Sequence, residues 1–278
     1  MECEKILNEF ITYKLDELDL LKFKDEPIRD KVLALLDTLC IMVYYPSKDK
    51  TNQGFHITDM PFANKEKHNF VYINTSQTLE KQVFTAAHEL GHIWKADEYV
   101  IKKNEMMASV DREDIISRFA AVLLMPEPLF KKSWEEEFGK YKDDNGYITI
   151  ANILKVIVTL MEKFFAPMKA VVYRLRELNL VAKEVEEFLL GDEKIPQVVI
   201  DAYVQKLISD CGFIQIQNPT NKKWIEGFAE KLDEAEAKDV ALASKIEYLR
   251  KLFDFKSGAI TSEFNNEVQI KRQEGTNI

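Results

Sequence analysis

Val83, Phe84, Ala87, Leu90 and Ile93 recur at the three- and four-residue spacing of one helix face, while Thr85, His88 and His92 fall together on another. A second helix is predicted over DREDIISRFAAVLLM, Asp111 to Met125, from the apolar positions Ile116, Phe119, Ala120, Leu123 and Leu124. Asp111 reads as its N-cap, Glu113 lies in its first turn one turn before Ser117, and Pro126 stops it. Upstream the period changes. The segment to about Pro46 begins helical, is amphipathic from Asp30 to Asp37, and passes into LCIMVYY, a predicted strand. GFHITDM and NFVYINT predict two further strands, separated by the polar stretch Ala63 to Lys67, for a small sheet beside the first helix.

From about Glu135 the chain becomes a different unit. The polar, turn-rich connection EFGKYKDDNGY leads to helices at Ile148 to Leu160 and Pro167 to Leu178, broken at Ala166-Pro167. Ile195 to Ser209 predicts a helix, CGFIQIQNP a short strand and turn, and Trp224 to Phe253 one or two helices rich in Lys and Glu. The tail from about Asn265 to Ile278 lacks an apolar period and predicts a mobile segment.

Composition narrows the class. With 46% of its 278 residues hydrophobic, the chain has ample material for a buried core. No stretch is long enough to span a membrane, and the start, MECEKILNEF, lacks a positive leader followed by an apolar run, so a cytoplasmic location is expected. Cys3, Cys40 and Cys211 are odd in number, scattered and without C-x-x-C spacing, as ordinary thiols in a reducing compartment. A formal charge of −9 argues against broad nucleic-acid affinity.

The strongest chemical signal is FTAAHELGHIW, which spells H-E-x-x-H at His88, Glu89 and His92. Two residues four apart on a helix sit one turn up the same face, so both imidazoles can reach one zinc ion at about 2.0–2.1 Å. Glu89 points to the side where a zinc-bound water would sit, and could take its proton. The bland alternative is a helix whose histidines merely pack or face solvent. In a chain with four histidines a chance match should arise roughly once in a hundred such sequences or less.

No histidine follows His92, which makes a carboxylate the expected third ligand. Asp97, Glu98, Glu105, Asp111, Glu113 and Asp114 are the candidates. Asp97 and Glu98 lie barely past the first helix and too near its axis to fold back easily, and Glu105 sits in a polar connection.

These blocks resemble the ImmA/IrrE-type metallopeptidases. The similarity rests on the strand VYIN, Val71 to Asn74, then on the F-T-x-A-H-E-x-x-H helix, and on EDIISRFAAVLLMP, Glu113 to Pro126, against the pattern E-x-x-A-N-x-F-A-A-x-L-L-M-P. It covers roughly Leu39 to Leu178. The resemblance implies zinc as the cofactor, His88, His92 and Glu113 as its ligands, and Glu89 as the catalytic base. The pattern's small residue and asparagine fall here on Ile116 and Ser117, so a supporting hydrogen bond expected from that amide must come from a hydroxyl or be absent. It also implies an endopeptidase acting on a partner protein, a helix-turn-helix transcriptional repressor of phage, mobile-element or stress control.

Together these readings predict an α+β fold: a zincin-like core with a small β-sheet and the H-E-x-x-H helix, followed by mostly helical C-terminal regions. Residues 1–135 are expected to form the metallopeptidase core, 136–190 a helix-turn-helix-like region, and 191–278 a helical region of unknown role. His56 and His68 lie near the predicted sheet, where either could face the cleft and stabilise an oxyanion; a packed or solvent-facing role is the default, and Tyr72 and Tyr99 are no better supported.

Between Ala151 and Lys183 the cations Lys155, Lys163, Lys169, Arg174, Arg176 and Lys183 outnumber Glu162 and Glu177 by four. A DNA-reading helix is one meaning, but the solvated face of a packing helix is the expected one, with no direct nucleic-acid contact. Two readings from other classes are a non-cleaving DNA-binding regulator and an antitoxin-like protein-interaction module.

Overall fold

A computed structural model describes residues 2–49, 51–58, 69–191, 195–239 and 241–253. His68, the stretch Ala63 to Lys67 and the tail Asn265 to Ile278 lie outside the described residues. The chain is mixed α+β and divides into two compact units, Met1–Lys222 and Lys223–Ile278. No helix among the described residues is long and apolar enough to cross a membrane.

In the first unit, α1 (Glu2–Glu17) and α2 (Lys31–Leu39) precede β1 (Cys40–Tyr45), β2 (Gly54–Ile57) and β3 (Asn69–Asn74). β1 pairs with β3 in parallel, from Cys40↔Asn69 to Tyr45↔Asn74, and β2 pairs antiparallel with β3, from Gly54↔Ile73 to Ile57↔Phe70. β3 is therefore flanked on both sides, and its residues Val71 to Asn74 are all buried, whereas β1 alternates buried and half-buried positions.

Asn74 ends β3 wholly buried and resolves that burial by hydrogen bonding. Its Oδ1 accepts from Ser47 N, Ser76 N and Ser76 Oγ, and its Nδ2 donates to the carbonyls of Asp49 and Asn52. One side chain thus ties the β1–β2 connection to the turn leading into the next helix.

That helix, α3 (Leu79–Ile93), is central to the unit, packed against α2, β2, β3, α4 (Ala96–Lys103) and α5 (Arg112–Leu124). α4 was not foreseen. Lys95, in the left-handed conformation at φ 58°, turns the chain directly from α3 into it. α1 lays Cys3, Ile6, Leu7, Phe10, Ile11 and Leu15 into the core, a stripe at helical period, and Phe10 stacks on Tyr99 of α4 at 4.5 Å.

After Pro126, α6 (Glu127–Gly139) extends into residues read as loop, and α7 (Ile150–Phe164) and α8 (Met168–Glu177) follow. The break between them comes at Phe165, φ 50°, followed by Ala166-Pro167. α9 (Lys183–Leu189), α10 (Gln197–Asp210) and α11 (Ile214–Gln217) complete the unit. α11 corrects the strand expected in CGFIQIQNP: the alternation Ile-Gln-Ile-Gln mimics a strand, yet the segment forms one helical turn with Ile216 buried.

Of the six cations counted around α8, three are paired with carboxylates. Arg174 is fully buried; its Nε donates to the Met125 carbonyl at 3.1 Å and its Nη1 pairs with Glu4 at 2.6 Å. Arg176 pairs with Glu186 and Lys183 with Glu187.

The second unit contains the two-residue strand Trp224–Ile225 and helices α12 (Phe228–Ala237) and α13 (Ala243–Leu252). These helices join through the Phe228 and Phe253 rings, 5.2 Å apart, through buried Leu232 and Ile246, and through Arg250, which meets Asp233 and Glu236 at 2.7 Å each.

Candidate metal centre

His88 and His92 stand one turn apart on α3, their side chains 20% and 17% exposed. α5 crosses close to this turn because residue 91 is glycine. A Cβ there would lie 2.8 Å from Phe119 Cδ1 and 3.2 Å from Ile116 Cγ2, both on α5. The start of α5 is fixed by Asp111, whose Oδ1 accepts from Glu113 N at 3.0 Å as an N-cap, and by Arg112, whose Nη1 pairs with Asp97 of α4 at 3.0 Å.

Glu113 then reaches back to both histidines. Its Oε2 lies 3.1 Å from His88 Nε2 and its Oε1 3.5 Å from His92 Nε2. Donors about 2.0–2.1 Å from one tetrahedral ion stand roughly 3.3 Å apart, so the observed spacings bracket what a shared zinc-sized ion needs. Two imidazoles and a carboxylate are also a donor set such an ion accepts, and the three ligand atoms lie within 4.8 Å of one another. Burial, followed by the neighbouring His88, holds the His92 pKa below the usual histidine value, favouring the neutral imidazole that coordinates metal.

The other acids have different placements. Asp97 faces Arg112, Asp111 caps α5, Glu98 lies 3.9 Å from Lys95, and Glu105 belongs to the 3-10 turn Glu105–Ser109. Asp114 lines a neighbouring cleft with Ser117, Arg118 and Lys169.

Glu89 follows His88 on α3 but turns inward, its side chain only 7% exposed. Its partner is His56 on β2, whose Nδ1 donates to Glu89 Oε2 at 2.7 Å and whose ring stacks on His92 at 4.5 Å between centroids. The hydrogen bond to Glu89 is the main reason the His56 pKa is raised above its ordinary value. His56 is thus packed against α3, beside Glu89 and His92. β2 exposes Phe55 and Ile57 and turns Gly54 and His56 toward α3, the reverse of an apolar-in, polar-out alternation. Gly54 permits the approach, since a Cβ on it would lie 2.6 Å from both Thr85 Cγ2 and the Tyr72 carbonyl. Neither tyrosine joins the cluster: Tyr72 Oη donates to the Tyr45 carbonyl, and Tyr99 stacks on Phe10.

Ser117, one turn after Glu113, places Oγ 3.4 Å from His88 Nδ1. The hydroxyl at the position of the pattern's asparagine thus stands at the outer nitrogen of a histidine whose Nε2 faces Glu113. A cleft of about 760 Å³ beginning at Gln53, Phe84 and Ser117 runs along α5 and α8 past Lys169 and Tyr173. The larger cleft, about 1240 Å³ beside α1, contains none of the histidines.

No curated protein matches the chain. A solved structure described as a Mycobacterium tuberculosis transcriptional regulator is similar at 13% identity and a TM-score of 0.40. The match covers 63% of this chain and 51% of that one, so this chain spans about half the length of the protein it matches. The family described as the IrrE N-terminal-like domain, Peptidase_M78, matches residues 37–176, a stretch that includes β1, β2, β3, α3, α5 and the histidine cluster. The chain belongs to the Peptidase_M78, IrrE N-terminal-like, family.

Proposed function

We propose that this chain is a zinc-dependent endopeptidase with a zincin-like core that hydrolyses a peptide bond in a partner protein. Membership of a peptidase family supports the reaction class. The observation that carries the reading is the Glu113 carboxylate lying within 3.1 Å of His88 and 3.5 Å of His92 while Glu89 sits buried beside them without joining that triad.

In this reading His88, His92 and Glu113 hold zinc, which when bound supplies an acidified water and polarises the scissile carbonyl. Glu89 is the general base. Its Oε2 is engaged by His56, which leaves Oε1 to accept the water's proton and pass it to the departing amine. Low exposure of Glu89 keeps bulk water from competing for that proton. Among the described residues β2 is an edge strand of the sheet, and His56 on it fixes the strand over the base, so an extended substrate segment can lie alongside. The substrate proposed from the family resemblance is a helix-turn-helix transcriptional repressor, met in the cytoplasm.

The test has a metal arm and a cleavage arm. Purified protein should carry about one zinc per chain; Glu113→Gln should weaken that binding strongly and Asp114→Asn should leave it unchanged. Co-expressed with a candidate helix-turn-helix repressor, the parent should yield repressor fragments. Glu89→Gln should keep zinc, fold and repressor binding while slowing cleavage by about 10²–10⁴-fold. Full biological activity of Glu89→Gln would replace the peptidase reading with that of a binding module.

A further inference from the structure

We infer that His56 and Glu89 form a second, weaker zinc position beside the one at His88, His92 and Glu113, so that excess zinc occupies the base itself. The inference rests on the reading of Glu89 as the base for its consequence, and on the geometry alone for the binding.

His56, Glu89 and His92 each offer a ligand atom, and these lie within 4.8 Å of one another, the same closeness found in the first triad. His56 Nδ1 and Glu89 Oε2 are 2.7 Å apart. Donors around a tetrahedral zinc stand roughly 3.3 Å apart, so a side-chain shift of about half an ångström converts the hydrogen bond into an ion clamp, with zinc taking the place of the shared proton. An imidazole paired with a carboxylate suits zinc rather than calcium, which gathers six to eight oxygens. Glu89 is 7% exposed and His56 27%, so the pair is partly desolvated before an ion arrives.

The two triads share His92. Once an ion is held by His88, His92 and Glu113, the second has, among the described residues, His56 and Glu89 as protein donors and completes its shell with water. Losing even a supporting hydrogen bond to a ligand costs about 10–100-fold in affinity; losing a ligand should cost at least about 100-fold. Paired metals about 3.5–4 Å apart are an established arrangement, so the neighbouring charges do not forbid double loading. The second ion engages the carboxylate that must accept a proton, which makes the site self-limiting when zinc is abundant.

Zinc titration of the metal-free full chain against a chromophoric chelator, read as equivalents bound per chain, tests this without a substrate. The parent should take up two equivalents, the second at least about 100-fold weaker, and added calcium should displace neither. His56→Ala and His56→Gln, each checked for an unchanged circular dichroism spectrum, should keep the tight equivalent and lose the weak one. Glu113→Gln leaves His92 to His56 and Glu89, so it should bind a single equivalent, which adding His56→Gln removes. Saturation of the parent at one equivalent in hundredfold zinc excess overturns the second site, as does a second equivalent that survives both His56 variants. Loss of the tight equivalent in the His56 variants with its retention in Glu113→Gln would overturn the first-site ligand assignment instead.

Discussion

Ser117 Oγ stands 3.4 Å from His88 Nδ1 while His88 Nε2 is turned to Glu113, so one imidazole is held from both of its nitrogens by residues one turn apart on α5. A histidine that binds metal through Nε2 carries its proton on Nδ1, and an acceptor there fixes both tautomer and ring plane. Ser117→Ala should lower zinc affinity by about tenfold, the small end of the range for such partners because the contact is long. Ser117→Asn, the residue type of the ImmA/IrrE pattern, should hold or raise it. Equal affinity of parent and Ser117→Ala in chelator competition would remove the hydroxyl from the metal centre.

Gly91 sets how closely α3 and α5 approach. Alanine is the better helix former by about 1 kcal/mol, so an isolated α3 would gain from Gly91→Ala. In the folded chain the added methyl meets the Phe119 ring at 2.8 Å, and Phe119 is itself fully buried with Trp94 against its edge at 5.9 Å. Overpacking of this kind typically costs about 1–3 kcal/mol. Gly91→Ala should therefore lower the thermal midpoint and, by pushing Glu113 away from His88 and His92, weaken zinc binding as well. A stabilised variant with unchanged affinity would show that α5 yields without moving the carboxylate.

Arg174 is a buried cation whose loss should be felt at the N-terminal helix. Glu177 keeps Arg118 as a partner at 2.7 Å, but Glu4 on α1 relies on Arg174 at 2.6 Å. Arg174→Met should cost about 3–5 kcal/mol by orphaning that carboxylate, and adding Glu4→Gln should return part of it. Urea midpoints of the two single variants and the double variant give the coupling; additive effects would mean that the ion pair contributes nothing of its own.

Glu80 supplies a pH dependence with a definite sign. Burial raises its pKa above the usual carboxylate value, opposed in part by Thr78 Oγ1, which donates to Oε1 at 2.7 Å, and Oε2 is buried without a hydrogen-bond partner among the described residues. A carboxyl whose folded pKa is raised adds stability below its unfolded value, and that contribution is lost as pH rises through the folded value. The charge therefore costs stability at neutral pH. In metal-free protein, Glu80→Gln should raise Tm at pH 7 by about 2–4 °C, corresponding to roughly 1 kcal/mol, and the difference should vanish below about pH 4.3. A Tm difference that is constant with pH would assign the effect to packing rather than charge.

Residues within one turn or one cap of each other were legible without coordinates. His88 and His92 share a face because the α-helical repeat is local, Asp111 caps α5 through a bond to the amide two residues on, and the break before Pro167 follows from the ring's own restrictions. The strand LCIMVYY was legible for the same reason, since an apolar run between turn residues carries its own signal.

What joined distant segments was decided by packing. His56 lies 33 residues from Glu89 and reaches it because Gly54 lets β2 close onto α3, with Phe55 and Ile57 left outside. No period of hydrophobicity encodes that inversion. Arg174 counted as surface charge in composition but is buried, because α1 brings Glu4 to it from the other end of the unit. Glu113 stood among six acids in the linear chain; its carboxylate reaches both histidines because Gly91 admits α5 against α3, a contact whose free energy depends on side chains more than 20 residues apart and leaves no mark on local propensity.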